Sequence, residues 1–167
     1  MFIDDSREWN VTFLVDSFRP LRLVLLQRGA DRPFAPGWYT GVGGKVDATD
    51  ASRLAAAARE LREETGLVGT DLKEFAHAWI NENMRIAYFV LPYTESALPK
   101  CNEGDLLWAD EENLFDLKII PTTKIILEKW RDRAWDTENP FTVVIEREDV
   151  PTPEAPIRSV SLEEGIV

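Results

Sequence analysis

The sequence predicts an α+β sandwich built on a mixed central sheet. Short apolar runs, bounded by turn residues, read as strands. Two segments instead carry the 3.6-residue spacing of amphipathic helices. Their order along the chain, strands followed by helices, suits helices packed on a sheet. A length of 167 residues fits one domain.

Trp9 to Val15 and Leu21 to Gln27 are the first two expected strands, and Arg19-Pro20 signals the turn between them. Residues 29–37, with two prolines and two glycines, read as a surface loop. Trp38 to Val42 forms a short strand or bend that enters Gly43-Gly44. A helix follows from about Ala51 to Thr65, with Thr49 or Asp50 as N-cap and Gly66 as terminator. Leu54, Ala57, Ala58 and Leu61 form its expected apolar stripe.

Leu72 to Asn81 and Met84 to Pro92 make a hairpin that turns at Asn81-Glu82-Asn83. Asp105 to Ala109 is a short strand, Pro121 to Trp135 a second helix opened by proline, and Phe141 to Glu146 a final strand. Residues 1–147 therefore constitute the domain. Residues 148–167, with three prolines and several acids, read as an extended or disordered C-terminal tail without its own core.

A net charge of −11, with no Lys/Arg stripe, argues against duplex nucleic acid as a partner. It leaves room for a small phosphorylated substrate whose charge a bound cation offsets. Cys101 is the only cysteine, which permits a reducing compartment. Neither a signal-type segment nor an apolar run of membrane-spanning length is present, so the expectation is a cytoplasmic protein without a membrane partner.

The chemistry concentrates in Arg59-Glu60-Leu61-Arg62-Glu63-Glu64-Thr65-Gly66-Leu67. Glu60, Glu63 and Glu64 stand at i, i+3 and i+4, on one face of a helix. Like charges so placed repel by a few tenths of a kcal/mol per pair, or about 0.2–0.5. A hard divalent cation, Mg²⁺ above all, would offset that repulsion. The plainer alternative is a solvated face on which Arg59 and Arg62 pair with the glutamates.

Upstream stand Gly43-Gly44-Lys45 and Asp50. The string from Gly44 to Leu67 resembles the signature of the Nudix hydrolases: Gly, five residues, Glu, seven residues, Arg-Glu-U-x-Glu-Glu-x-Gly-U, where U is aliphatic. Asp50 takes the place of the first glutamate, and one extra residue separates it from Arg59.

The resemblance implies the family's α/β/α sandwich and cleavage of a pyrophosphate bridge in a nucleoside diphosphate linked to a group X. By the same resemblance Glu60, Glu63, Glu64 and the Gly44 carbonyl bind Mg²⁺, with Mn²⁺ as a substitute, and Arg59 orients Glu63. Glu103-Gly104-Asp105-Leu106-Leu107-Trp108 is similar to a segment of the oxidised-purine nucleoside triphosphatases. There a glutamate five residues before a tryptophan approaches the metal, which makes Glu103 the candidate base outside the signature, with Glu60 and Glu63 inside it.

Trp38 to Lys45 also resembles that subgroup and places Trp38, Thr40 and Lys45 at the substrate, while Arg28 ends an apolar strand as a second phosphate contact. Phe34, Trp38 and Tyr39 could offer a stacking surface. Where the subgroup has Trp-Pro-Asp-Asp, this chain has Ile120-Pro121-Thr122-Thr123, so the acids that read a purine edge are missing. His77, the sole histidine, has no triad or ligand set near it in sequence and reads as structural.

The expected activity is Mg²⁺-dependent conversion of a nucleoside triphosphate, such as a modified dNTP, to monophosphate and pyrophosphate. Another substrate of the nucleoside diphosphate-X type and a non-catalytic nucleotide sensor are the alternatives. The small nucleotide is the expected partner, and a homodimer stays open.

Overall fold

The computed structural model describes residues 7–167. Nine strands form one mixed sheet: β1 (Glu8–Phe18), β2 (Leu21–Arg28), β3 (Tyr39–Thr40), β4 (Val42–Lys45), β5 (Lys73–Ile80), β6 (Met84–Pro92), β7 (Gly104–Asp110), β8 (Phe141–Arg147) and β9 (Ile157–Glu164). Helices α1 (Arg53–Thr65) and α2 (Pro121–Asp132) complete the α+β sandwich. The main strand order is β3-β2-β1-β6-β5-β8-β9. β1 runs parallel to β6 and β5 parallel to β8, while the other pairs are antiparallel.

Along β1, alternation sends neighbouring side chains to opposite faces. Phe13 and Val15 join the larger core with Phe75, Tyr88, Trp130 and Phe141. Leu14 joins the smaller core with Val42 and Leu61 of α1. On the α2 side, Trp130 is fully buried and stacks on Phe75 at 4.0 Å between centroids. On the α1 side, Ala57 meets Ala87 and Phe89, and the two alanines let helix and sheet approach closely.

Several boundaries differ from the sequence expectation for identifiable reasons. α1 begins at Arg53, and its N-cap is Ser52, whose hydroxyl accepts from Ala55 N at 3.0 Å. Asp50 cannot cap because Arg59 and the Asp47 N–H already occupy its carboxylate. The buried helix face is Ala56, Ala57 and Leu61, whereas Leu54 is 48% exposed. Gly66 ends the helix at φ 78°, with its N–H bonded to Arg62 O, as the terminator reading requires. α2 stops at Asp132; Ala134 and Trp135 then take positive φ, and Trp135 folds back into the core beside Trp130.

The β5–β6 hairpin turns through Asn81 and Glu82, both at positive φ. The segment after residue 148 contains β9, which pairs with β8 along its length and exposes all eight of its residues. No helix among the described residues is long and apolar enough to cross a membrane.

The feature that positions the site is a split along one edge of β1. Trp9 to Thr12 pair with β4, and Val15 to Phe18 pair with β2. The chain between β3 and β4 therefore steps from one partner strand to the other. Gly43 and Gly44 lie just past that step, beneath α1.

Candidate active site

Gly43 and Gly44 are fixed by space. A methyl group at residue 43 would stand 1.9 Å from Asn10 O, so the β1–β4 contact excludes one. At residue 44 it would stand 2.7 Å from Cδ and Oε2 of Glu60. Gly44 thus leaves the room that the Glu60 carboxylate occupies.

Arg59 is the hub of the acidic face. Its Nε and Nη2 donate to the two Asp50 oxygens at 2.8 and 2.9 Å, a bidentate pair. Nη1 donates to Glu60 Oε1 and Glu63 Oε2, both at 3.1 Å, and Nη2 reaches Lys45 O at 3.3 Å. One guanidinium therefore ties the loop before the helix to two of the three glutamates. Asp50, set one residue out of the usual spacing, still reaches this hub, and the Arg59 bonds hold its carboxyl below the ordinary range. The repulsion expected on this face already has a protein counter-charge in Arg59, as in the pairing alternative read from the sequence.

That counter-charge is incomplete. Burial pushes the Glu60 carboxyl up despite Arg59. Burial also raises Glu64, reinforced by the negative charges of Glu103 and Glu60. Glu64 Oε2 is buried and accepts no hydrogen bond.

The loop bearing Glu103 is docked onto the end of α1: Asn102 Nδ2 donates to Glu63 O at 3.0 Å and Asn102 N to Glu64 O at 3.3 Å. Glu103 also accepts from Arg32 Nη2 at 3.3 Å. Among the described residues, no three His, Cys, Asp or Glu side chains are gathered into a ready metal-holding group. The donor set still fits a hard cation: all ligating atoms would be oxygens, one buried carboxylate oxygen is unpartnered, and burial, with neighbouring acids adding to it, raises two of the acids.

Beside this face opens a cavity of about 610 Å³. Gly43, Gly44 and Glu103 line its acidic end; Arg28, Arg32 and Phe34 form the adjoining wall. Arg28 donates from Nε to Phe34 O at 2.8 Å, and burial lowers its pKa. Thr40 is buried in the lining, with its hydroxyl 3.2 Å from that of Thr123.

Two expected substrate contacts are not among the lining residues. Trp38 does not line the cavity; the Lys118 ammonium sits 4.3 Å from its ring centroid. Lys45 is also absent from the lining, although its carbonyl meets Arg59. Tyr39 packs against the larger core, leaving Phe34 as the one expected stacking residue in the cavity. His77 is fully buried away from this site, where its Nδ1 accepts from Arg85 Nε at 3.0 Å and its Nε2 faces Glu74.

The cavity also uses Trp9, Arg32, Arg147 and Asp149, none of which sequence reasoning selected. Alternation on β1 could have placed Trp9 on one face with Val11. Nothing local could have placed Arg147, because its position depends on the parallel pairing of β8 with β5.

The NUDIX domain model matches residues 8–138, more than half of the chain. The chain belongs to the Nudix hydrolase family. The MutT protein of Bacillus halodurans is 20% identical with a TM-score of 0.69, over 93% of this chain and 97% of that one. A MutT from Aliivibrio salmonicida or Vibrio cholerae is 20% identical with a TM-score of 0.62, covering 75% of this chain and 97% of its own. The NUDIX domain of Shewanella oneidensis NrtR, solved with ADP-ribose, is 18% identical with a TM-score of 0.60, over 75% and 86% of the two chains. At these identities the likeness concerns the fold. No curated protein matches this sequence.

Proposed function

We propose that this Nudix hydrolase cleaves a nucleoside triphosphate to monophosphate and pyrophosphate, with Mg²⁺ held by the Gly44 carbonyl, Glu60, Glu63 and Glu64. The observation that carries the reading is the junction of the Arg59-organised carboxylates with a cavity of nucleoside size, lined by Gly43, Gly44 and Glu103. When bound, Mg²⁺ neutralises phosphate oxygens and lowers the pKa of the attacking water.

The side chains divide the remaining work. Arg59 holds Glu60 and Glu63 against the loop, so that these carboxylates keep one orientation. Glu103 receives the proton of the attacking water; Asn102 keeps its loop at the end of α1. Arg28 and Arg32, which line the cavity, contact the phosphates. Trp9 and Phe34 enclose the base, and residues 148–167 complete the domain by adding a strand and one cavity wall.

Retention of all three signature glutamates favours catalysis over sensing. The test is a screen of nucleoside triphosphates, nucleotide sugars, dinucleotides and ADP-ribose with Mg²⁺, identifying the products. Monophosphate plus pyrophosphate from a triphosphate is expected. Turnover only of a diphosphate-X substrate would replace this reading with the alternative one, and no turnover of any substrate would favour the sensor.

A further inference from the structure

The floor of the cavity lacks the acids of the oxidised-purine enzymes and holds hydroxyls instead. Thr40, Thr122 and Thr123 all line it and are at most 7% exposed. The fully buried Tyr88 hydroxyl faces Thr122 and Thr123 without completing a well-formed hydrogen bond. Arg147, at the end of β8, lines the same cavity, and its charge acts on that tyrosine hydroxyl.

Arg147 is held through its backbone, whose N–H donates to Asn81 Oδ1 at 2.8 Å. Its Nε is buried without a hydrogen-bond partner, and no carboxylate among the described residues forms an ion pair with it. A buried guanidinium donor with no acceptor is costly unless a ligand supplies one. Arg147 also lies outside residues 8–138, so the family match does not account for it.

Guanidinium groups only donate, whereas threonine and tyrosine hydroxyls can donate or accept. A ligand edge that suits this floor offers an oxygen acceptor to Arg147 and a neighbouring N–H to a hydroxyl. Guanine, hypoxanthine, uracil and thymine present that pair. Adenine and cytosine turn an amino group toward the same place, which would set donor against donor. Asp149 lines the same wall two residues later, so the wall carries both signs and is a poor seat for a second phosphate.

We propose that Arg147 makes this hydrolase selective for nucleotides whose base carries a keto oxygen in place of an amino group. The inference rests on the reading of the cavity as the nucleotide site. It is tested by equilibrium binding of dGMP, dAMP, dTMP and dCMP to the full chain with Mg²⁺ present. dGMP should bind at least tenfold more tightly than dAMP, and dTMP at least tenfold more tightly than dCMP. Arg147→Met should bring both ratios within threefold by weakening the keto nucleotides, with dAMP affinity changed less than threefold. Arg147→Lys, which keeps one cationic donor, should retain part of the preference.

Wild-type ratios within threefold, no binding by any of the four, or a preference that survives Arg147→Met would overturn the assignment. So would an Arg147-dependent advantage of adenosine 3′,5′-bisphosphate over dGMP, since that would make Arg147 a phosphate contact. Keto-selective binding without hydrolysis of any triphosphate would overturn the proposed function and leave this assignment standing.

Discussion

Gly44→Ala isolates the position of one carboxylate from the stability of the fold. The added methyl would lie 2.7 Å from Glu60 Cδ and Oε2 and 2.8 Å from Oε1. Ordinary carbon contacts begin near ~3.5 Å, so the carboxylate must retreat by roughly 0.7 Å or more. It is the far end of a flexible side chain, so the fold can absorb the shift, but the shift strains the 3.1 Å bond to Arg59. Displacement of a reacting constellation by ~1 Å can cost about 100-fold in rate, or ~2.7 kcal/mol. The expected result is a kcat/KM 30- to 100-fold below wild type, with a Tm within ~4 °C. Gly43→Ala is the contrasting variant, because its methyl would strike Asn10 O at 1.9 Å and break the β1–β4 pairing. It should unfold early or fail to accumulate. Steady-state kinetics and thermal unfolding of both proteins decide the matter. A Gly44→Ala enzyme within threefold of wild-type kcat/KM would refute the placement of Glu60 in the catalytic centre.

Further outcomes follow from the same geometry. Excess chelator should abolish hydrolysis and added Mg²⁺ or Mn²⁺ restore it; turnover that persists in chelator would remove the metal from the mechanism. Glu64→Gln should lower kcat at least ~100-fold while leaving or raising the Tm, because a buried acid pressed by Glu103 and Glu60 loses its charge; activity within threefold of wild type would contradict its role. The absence of acids at Thr122 and Thr123 should leave 8-oxo-dGTP and dGTP within about tenfold in kcat/KM, ~1.4 kcal/mol of differential transition-state binding, and competition kinetics would expose a larger preference. Burial, aided by Arg85 and Arg53, lowers the His77 pKa to about 3, from 6.5 when unfolded. The unfolded chain then binds the extra proton, so stability is complete above pH 6.5 and is lost as pH falls toward 3. Urea unfolding should show wild type losing ~2 kcal/mol more than His77→Gln between pH 7 and pH 5, and equal losses would refute the buried neutral imidazole.

Much of the fold was legible because local rules and tertiary packing agreed. Leu21 to Gln27 and Met84 to Pro92 are strands by alternation and by pairing alike. Gly66 ends α1 because only an αL residue closes that turn readily. Disagreement arose where a side chain had two possible partners. Asp50 is a good N-cap by residue type, but Arg59, nine residues later, offers it two charge-assisted bonds, and Ser52 caps instead. Trp135 falls within the run expected to be helical, yet its ring is drawn back onto Trp130 after α2 has ended.

The candidate site divides along the same line between local and non-local information. Glu60, Glu63, Glu64 and Arg59 could be grouped from spacing alone, since a helix fixes which offsets share a face. Glu103 joins them only because Asn102 bonds the carbonyls that end α1, a contact across 39 residues in the case of Glu63. The cavity wall is less local still. Arg147 reaches it through β8, which lies parallel to β5, and Asp149 through the connection to an exposed edge strand. Carboxylates that share a helix must keep one spacing to work together, so their pattern survives in the sequence. Residues that shape the pocket need only arrive at the same place, and many chain paths allow that. The signature carboxylates are therefore written in a compact string, while the cavity lining is distributed over β1, α2 and the end of β8.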